Sequence, residues 1–506
     1  MNAITPRATD SLWFATAPPT AYPALEGDHD ADVAVIGGGI TGITAALLLK
    51  RDGARVAVLE RGAVGSGATG FTTAKVSALQ ETKYTDIRAM HGDAGATAYA
   101  RASRAAVERI DALVRDEGLD CDWERLPSYT YAGDEEQVAT VEEEAEAARA
   151  AGLGVQLTDE TPLPFGVPRA VRLDDQAQFH PVRYVRGLAA VVHGEGSHVF
   201  ESTAVASVQE GAPCRLRTLG GATVSAADVV VATNYPLLDR GLFWARMEAA
   251  RSYVVAARLR GPAPEGMLIT AGSPTRSLRP YRDGEDTWLL VGGEGHLTGS
   301  EEAQPERYAA LERFAREHFD VVDVPYRWST QDGMPTDKLP YIGPYTPTAS
   351  HLFVGAGFQK WGMTGGTIAA TVLADRIAGR PSAGADVFDP NRVTVRSAPE
   401  LAKAQLWVAR HFVGDRLTPA EASGSEEVPA GEARVVRSGV GKIGVYRDDD
   451  GIAHAVTLRC THLGCLLHFN AADRSWDCPC HGSRFDVDGQ VLAGPAVHPL
   501  ERRDAA

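Results

Sequence analysis

Residues 32–61 read DVAVIGGGITGITAALLLKRDGARVAVLER, and this stretch decides the fold. Val33–Ile36 is a short apolar run suited to a buried parallel strand. Gly37-x-Gly39-x-x-Gly42 follows at once and opens an Ala/Leu-rich helix that stops near Gly53. Arg55–Leu59 is a second strand, ending in Glu60, 23 residues after Gly37. Each part has a chemical reason. Gly37 permits a tight turn, Gly39 lets backbone approach a pyrophosphate, and Gly42 lets helix and strand pack closely. The helix N-terminus, with Ile40 and Thr41, offers unpaired N–H groups and partial positive charge to phosphates. Glu60 stands where a ribose 2′-OH would donate to it, with Arg61 beside it. Strand, glycine turn, helix, strand and acid in this order predict a Rossmann-like dinucleotide site rather than a bland glycine-rich turn.

Working outward, residues 1–31 read as a mostly irregular lead-in, interrupted by Pro18, Pro19 and Pro23. After Glu60, the run RGAVGSGATGFTTAKVSA brings Gly67, Ala68, Thr69 and Thr73 to a second part of a cofactor. Residues 95–117 and 134–152 read as amphipathic helices, with charged faces such as Glu142–Glu144 and Glu146 expected in solvent. A helix over 182–194 precedes strands at 204–208, 215–219 and 227–232. The last, ADVVVATN, reads as a further strand of the dinucleotide domain returning after an insertion. Residues 246–295 alternate strands and turns, 305–319 is helical, and DGMPTDKLPYIGPY (332–345) reads as a turn-rich loop. HLFVGAGFQKWGMTGGTIAATVLADRIAG (351–379) repeats the opening logic, with a strand at 352–354, glycines at 355–366 and a helix at 367–378. A helix over 399–413 leads to a boundary near Ser423–Val428. Beyond it lies a small antiparallel β module of about eighty residues.

Five hundred and six residues exceed one ordinary core, and 44% hydrophobic with 23% charged residues is a soluble, globular composition. A net charge of −16 without a basic stripe argues against a nucleic-acid partner. No apolar run reaches the length of a membrane span, and MNAITPRATDSLWFATAPP lacks the layout of a secretory signal, so a cytoplasmic location is expected.

Four of the six cysteines crowd the C-terminal end, which reads as a metal or redox site. The boxes are Cys460-Thr-His462-Leu-Gly-Cys465 and Cys478-Pro-Cys480-His481-Gly-Ser483, with fifteen residues between His462 and Cys478. Two thiolates and two imidazoles suit zinc. Four cysteines and two histidines overfill such a site, however, and leave Cys465 and Cys480 as a symmetric surplus pair. CTHLGC…CPCHGS resembles a Rieske [2Fe–2S] domain, in which His₂ replaces Cys₂ on one iron. The resemblance implies Cys460 and Cys478 on one iron and His462 and His481 on the other. It also implies a Cys465–Cys480 disulfide, a serine (Ser483) bonded to a bridging sulfide, and a proline loop at GPAVHPL (494–500). High-potential Rieske proteins carry Tyr two residues after that serine. Phe485 stands here, so one hydrogen bond to the cluster is missing and a lower potential is expected.

Roughly residues 10–395 resemble the D-amino-acid oxidase and glycine oxidase-like family of FAD-dependent oxidoreductases. The carriers are GGGITG with Glu60, GSGATG, ADVVVATN, MPTDKLPYIG and GAGFQKWGMTGG. The resemblance implies FAD, and because no Cys or His of the usual attachment kind stands beside these motifs, non-covalent binding is expected. Gly37, Gly39, Gly42 and Glu60 would hold its ADP half, and Gly67, Ala68 and Thr69 the pyrophosphate or ribityl chain. Val205 would pair with adenine, Thr233 would end the returning strand, and Gly357, Lys360, Trp361, Gly362 and Met363 would edge the flavin's pyrimidine ring. A cation or helix N-terminus there stabilises reduced flavin. Family members clamp a substrate carboxylate with an Arg and a Tyr. Arg251, Tyr253, Arg279 and Tyr281 are the candidates, with Lys360 and His296 as further catalytic candidates.

The expected fold is therefore α/β. A Rossmann-like FAD-binding domain (about 30–90, 180–240 and 330–380) carries an inserted mixed α/β substrate domain (about 90–180 and 240–330). A helix and linker over 396–428 then lead to an all-β Rieske domain at 429–506. With no second nucleotide fingerprint, electrons are not expected from NAD(P)H. Flavin accepts a hydride and a Rieske cluster carries one electron, so the fusion implies an order. A small-molecule amine or amino-acid-like substrate is oxidised, and electrons leave singly through the cluster to an external one-electron carrier. Reverse flow from an outside donor, or a Rieske module serving as redox sensor or docking handle, are the alternatives.

Overall fold

The computed structural model describes residues 11–300, 305–382, 384–438 and 441–504. The first ten residues of the expected lead-in lie outside that range. An eight-stranded sheet runs Tyr341–Pro344, Leu352–Ala356, Thr223–Val231, His29–Ile36, Val56–Leu59, His198–Phe200. Val205–Gln209 and Cys214–Thr218 join it beside Thr223–Val231. The central strands are parallel, with Ile36 level with Leu59 and Val231, Val231 with Val354, and Leu59 with Phe200. Their carboxyl ends therefore share one edge, where open α/β sheets bind ligands. The first strand starts at His29 because His29–Ala31 pair with Val224–Ala226. The apolar run at 33–36 marks only its doubly buried part.

The helix after the glycine turn is Ile40–Arg51, nearly all of it buried. The second glycine-rich helix, Gly362–Ile377, begins five residues before the sequence reading placed it. Its glycines belong to the helix because they pack where a side chain would collide. A Cβ at Gly366 would stand 2.7 Å from Thr41 Oγ1, and one at Gly365 2.9 Å from the Phe358 ring.

A nine-stranded sheet forms the second layer. Its order is Val321–Pro335, Met247–Leu259, Asp286–Leu297, Arg276–Asp283, Met267–Thr270, Glu124–Tyr131, Ala170–Gln178, Lys75–Val76, and Gln156–Thr158 joins it beside Ala170–Gln178. The expected loop over 332–345 is mostly strand: residues 332–335 pair with Met247–Ala250, Tyr341–Pro344 pairs with Leu352–Ala356, and the turn is confined to the residues between them. The helix expected over 95–117 is Lys83–Asp116, broken at Gly92 (φ 71°). Glu144, expected in solvent, is fully buried. Its carboxylate accepts from the N–H groups of Tyr84 and Thr85 (2.9 Å each) and from the Thr85 hydroxyl, satisfying the start of that helix. Burial pushes its pKa up to about 7 against those bonds.

The C-terminal module has a three-stranded sheet (Ala433–Ser438, Gly441–Arg447, Ala453–Thr457) and a four-stranded one (His468–Asn470, Ser475–Asp477, Arg484–Asp486, Val491–Ala493). Val456, Leu458, Leu467, Trp476 and Phe485 fill its core. The helix Ala398–Leu417 connects it to the body. Module and body meet where glycines allow it: a Cβ at Gly299 would lie 2.5 Å from Pro479 N, and one at Gly482 2.2 Å from Ala249 Cβ.

Candidate functional site

At the shared strand edge the chain bends into a cavity of about 740 Å³. Gly37 adopts φ 109°, and a Cβ there would lie 2.5 Å from Ala232 O. A Cβ at Gly42 would lie 1.9 Å from Gly37 O, so this glycine serves helix–strand packing and does not line the cavity. Glu60 is buried, with Oε2 accepting from Gly38 N–H (2.6 Å) and Oε1 from Gly62 N–H (2.8 Å). Burial raises its pKa against these bonds. Thr69 Oγ1 accepts from Ile40 N–H (3.0 Å), tying the second polar turn to the helix start. Gly37, Gly39, Ile40, Thr41, Glu60, Arg61, Gly67, Ala68, Thr69, Thr73, Val205 and Thr233 all line the cavity, as do Lys360, Trp361, Gly362 and Met363 at its other end. Gly357 does not: its φ of 78° turns the chain against Pro335 behind the wall.

The catalytic candidates divide. Arg251, Tyr253 and Lys360 line the cavity, whereas Arg279, Tyr281 and His296 do not. Arg279 is caged away from it, donating to Gln178 Oε1 and Phe179 O (2.9 Å each) under the Trp13 ring. Tyr281 donates to Asp122 (2.9 Å). His296 Nε2 meets Tyr253 Oη at 2.9 Å, and its Nδ1 lies 2.8 Å from Leu297 O, so both rings are spent on each other and on backbone. Strand polarity in the sequence does not tell which end of a sheet faces a ligand. Arg251 is also unavailable to a substrate carboxylate, because its guanidinium is paired with Asp473 of the C-terminal module and with Ser329. Burial opposes the Arg251 charge, but Asp473 and Asp477 outweigh it and raise its pKa.

Residues without a motif complete the inner cavity. Lys75 donates Nζ to Leu268 O (2.6 Å), and burial with the nearby Arg279 charge pulls its pKa down to about 7. Glu81 and Asp332 line the same space, each with a pKa raised by burial and opposed by the Lys360 charge. Lys360 and Gln359 both adopt left-handed backbone (φ 71° and 51°), a local strain of the kind found where a ligand is gripped.

At the second site, the two cysteine–histidine boxes face each other. Cys465 and Cys480 form a disulfide with Cα atoms 6.5 Å apart, whereas Cys460 and Cys478 are buried free thiols. The bond from Cys478 draws the Cys460 thiol down to about 7. His462 and His481 stand with ring centroids 5.0 Å apart, and both Nδ1 atoms are buried without a partner. Burial pushes the His481 pKa down to about 3, which keeps the ring neutral. Two thiols and two unpartnered imidazole nitrogens thus suit a cluster of two metal ions held by thiolates and neutral histidines. Ser483 Oγ accepts from Ala496 N–H (3.0 Å), and Thr461 donates to His498 O (2.6 Å), clamping the 494–500 loop over both boxes.

The two sites share a wall. Gly494, Ala496 and Val497 of that loop line the large cavity. Gln331, also in the cavity wall, donates Nε2 to Gly482 O (2.7 Å) and accepts from Thr298 Oγ1 (3.0 Å). Asp239 of the body accepts from His462 Nε2 (2.6 Å), and Trp244 packs edge-on to His481 at 5.0 Å.

Residues 32–376 match the "FAD dependent oxidoreductase" family, and residues 419–503 match the "Rieske [2Fe-2S] domain". The chain belongs to the FAD-dependent oxidoreductases. It is 34% identical over 501 residues to the "Putative Rieske 2Fe-2S iron-sulfur protein YhfW" of Bacillus subtilis, covering 98% of each chain. It is 25% identical over 388 residues to gamma-glutamylputrescine oxidoreductase of Escherichia coli, covering 73% of this chain and 89% of that one. Glycine oxidase from Geobacillus kaustophilus shares the fold (TM-score 0.61, 21% identity, 72% of this chain and 99% of that one). The family binds FAD and the Rieske domain a [2Fe–2S] cluster, in agreement with the two donor sets. This enzyme is thus an FAD-dependent oxidoreductase carrying a Rieske domain. No described helix is long and apolar enough to cross a membrane.

Proposed function

We propose that this protein is a dehydrogenase that oxidises an amine or amino-acid-like substrate and releases the electrons through its Rieske domain to an external one-electron carrier. The observation that carries the proposal is Gln331, one side chain lining the flavin cavity and bonded to the backbone between His481 and Ser483. When bound, FAD supplies two-electron chemistry and a Rieske cluster one-electron chemistry.

The rest falls to the chain's own residues. The glycine turn at 37–42, with Glu60, holds the ADP half, and Gly67–Thr69 with Thr73 hold the middle. The N-terminus of Gly362–Ile377 presents N–H groups and partial positive charge to the cavity's inner end. Lys360 there suits a carboxylate, and Glu81 and Asp332 suit an ammonium, a pairing that fits an amine or amino acid. Lys75, with a pKa near 7, takes the proton from the substrate ammonium. Cys460, Cys478, His462 and His481 hold the cluster.

An anaerobic panel of amines, amino acids and N-methyl amino acids tests this. A substrate is expected to bleach the flavin and bring up a Rieske-type EPR signal. Flavin that stays oxidised with every substrate, yet is reduced by an external one-electron donor, would establish the reverse flow.

A further inference from the structure

His411 and Asp415 stand one turn apart on the helix Ala398–Leu417, and His468 opens the strand His468–Asn470 of the Rieske domain. Asp415 Oδ2 lies 3.1 Å from His411 Nδ1 and 2.9 Å from His468 Nε2. The ligand atoms of the three residues lie within 4.8 Å of one another. The other nitrogen of His468, Nδ1, lies 2.7 Å from Gly299 O. A carbonyl only accepts, so Nδ1 carries the proton. Nε2 then faces a carboxylate that also only accepts, and the contact requires a second proton or a metal cation on Nε2.

The geometry favours the cation. Ligands at about 2.0–2.1 Å from a tetrahedral zinc are about 3.3 Å apart, so the two contacts to Asp415 need to open by only a few tenths of an ångström. The Nδ1–H to Gly299 carbonyl bond is the outer contact that fixes the tautomer and direction of a metal-binding histidine. His411 Nε2 has no partner that fixes the ring's tautomer, so with its proton on Nε2 the ring can turn the Nδ1 lone pair to an ion. Side-chain exposures of 9%, 20% and 25% for His411, Asp415 and His468 leave an open side for a water as fourth ligand. Imidazole and carboxylate donors suit zinc.

We propose that His411, Asp415 and His468 form a divalent-metal site of the zinc class, separate from the iron–sulfur centre. The ion would join three pieces: the linker helix, the Rieske strand and, through Gly299, the flavin body. Trp407, packed at a tilt against His411 with ring centroids 4.4 Å apart, also donates to Pro479 O (3.0 Å), so the site is mechanically continuous with a cluster-binding loop.

The test uses the full chain with flavin and cluster loaded, treated with a mild chelator and then titrated with zinc chloride by calorimetry, with elemental analysis afterwards. One zinc per chain is expected beyond the iron. That uptake is expected to vanish in His468→Gln and in Asp415→Asn, while the iron-to-flavin ratio and the cluster EPR spectrum stay unchanged and report intact folding. Should the wild type take up no stoichiometric zinc, the proposal is overturned and His468 is a protonated partner of Asp415. Equal uptake by wild type and both variants overturns it as well, placing the ion elsewhere.

Discussion

Lys75 is buried with its Nζ on Leu268 O, and its pKa falls from the ordinary 10.5 to about 7. It is neutral above that pH, so turnover is expected to rise with pH and level off above about 7. Lys75→Met should abolish that limb and lower kcat by about 10²–10⁴. A pH–rate profile with slow substrate checks this, and an unchanged profile would remove Lys75 from the proton transfer. The same shift has a stability consequence. The folded pKa lies below the unfolded one, so the unfolded chain binds more protons between about 7 and 10.5 and stability rises with pH across that window. Asp239 is a second single-residue lever. Its carboxylate accepts from His462 Nε2, and that negative charge favours the oxidised cluster. Asp239→Asn is therefore expected to raise the cluster's midpoint potential, measured by EPR-monitored titration. Neither residue carries a motif. Lys75 sits in a two-residue strand, and Asp239 lies 223 positions from its partner. Local patterns in the sequence do not reach either role.

At the scale of elements, the glycine turn and the two Cys–His boxes were legible because each packs its chemistry into a few consecutive residues. Gly37, Gly39 and Gly42 stand where the spacing placed them, and Gly42→Ala tests the tightest contact. Its Cβ would overlap Gly37 O at 1.9 Å, in backbone that has nowhere to go. We expect a cost of about 1–3 kcal/mol in a thermal melt and loss of bound flavin in the flavin-to-protein ratio. Retained flavin would mean that the turn relaxes. Sequence reading failed where pairing across the sheet decides the outcome. Residues 332–335 look like turn by composition, yet they extend a long strand because Met247–Ala250 lie opposite. Arg279 and Tyr281 alternate correctly along their strand, but the strand carries them past the cavity to Trp13 and Asp122. Glu144 looks like one of several surface acids until Tyr84 and Thr85 present their N–H groups to it.

At the scale of the molecule, the Rieske domain is seated with its histidine edge on the flavin body, and a buried ion network holds it. Asp473 is bonded to Arg251, to Ser329 (2.6 Å), to Tyr308 (3.0 Å) and to Arg484 (3.2 Å), which in turn holds Asp477 (3.0 Å). Burial would raise the Asp473 pKa, but Arg251 and Arg484 outweigh it and lower it. Its stabilising contribution is thus complete above the ordinary carboxylate range and is lost as pH falls through the depressed value. Asp473→Asn leaves Arg251 buried without its counter-charge, at a cost of about 3–5 kcal/mol. The expected outcome is faster proteolysis in the 418–432 connection and slower electron transfer between the centres, with the cluster's own EPR spectrum retained. Unaltered proteolysis and transfer would show that the network does not hold the seat.

In the function proposed, the flavin cavity and the cluster exchange electrons across this seat. Rapid-freeze EPR after anaerobic mixing with a bleaching substrate, set beside the rate of flavin reoxidation in air, measures that exchange. We predict that the cluster signal grows in as fast as turnover and faster than oxygen reoxidises the flavin, and that Gln331→Ala slows it. A cluster that stays oxidised while the flavin is fully bleached, or a flavin that oxygen drains first, would rule out this exchange.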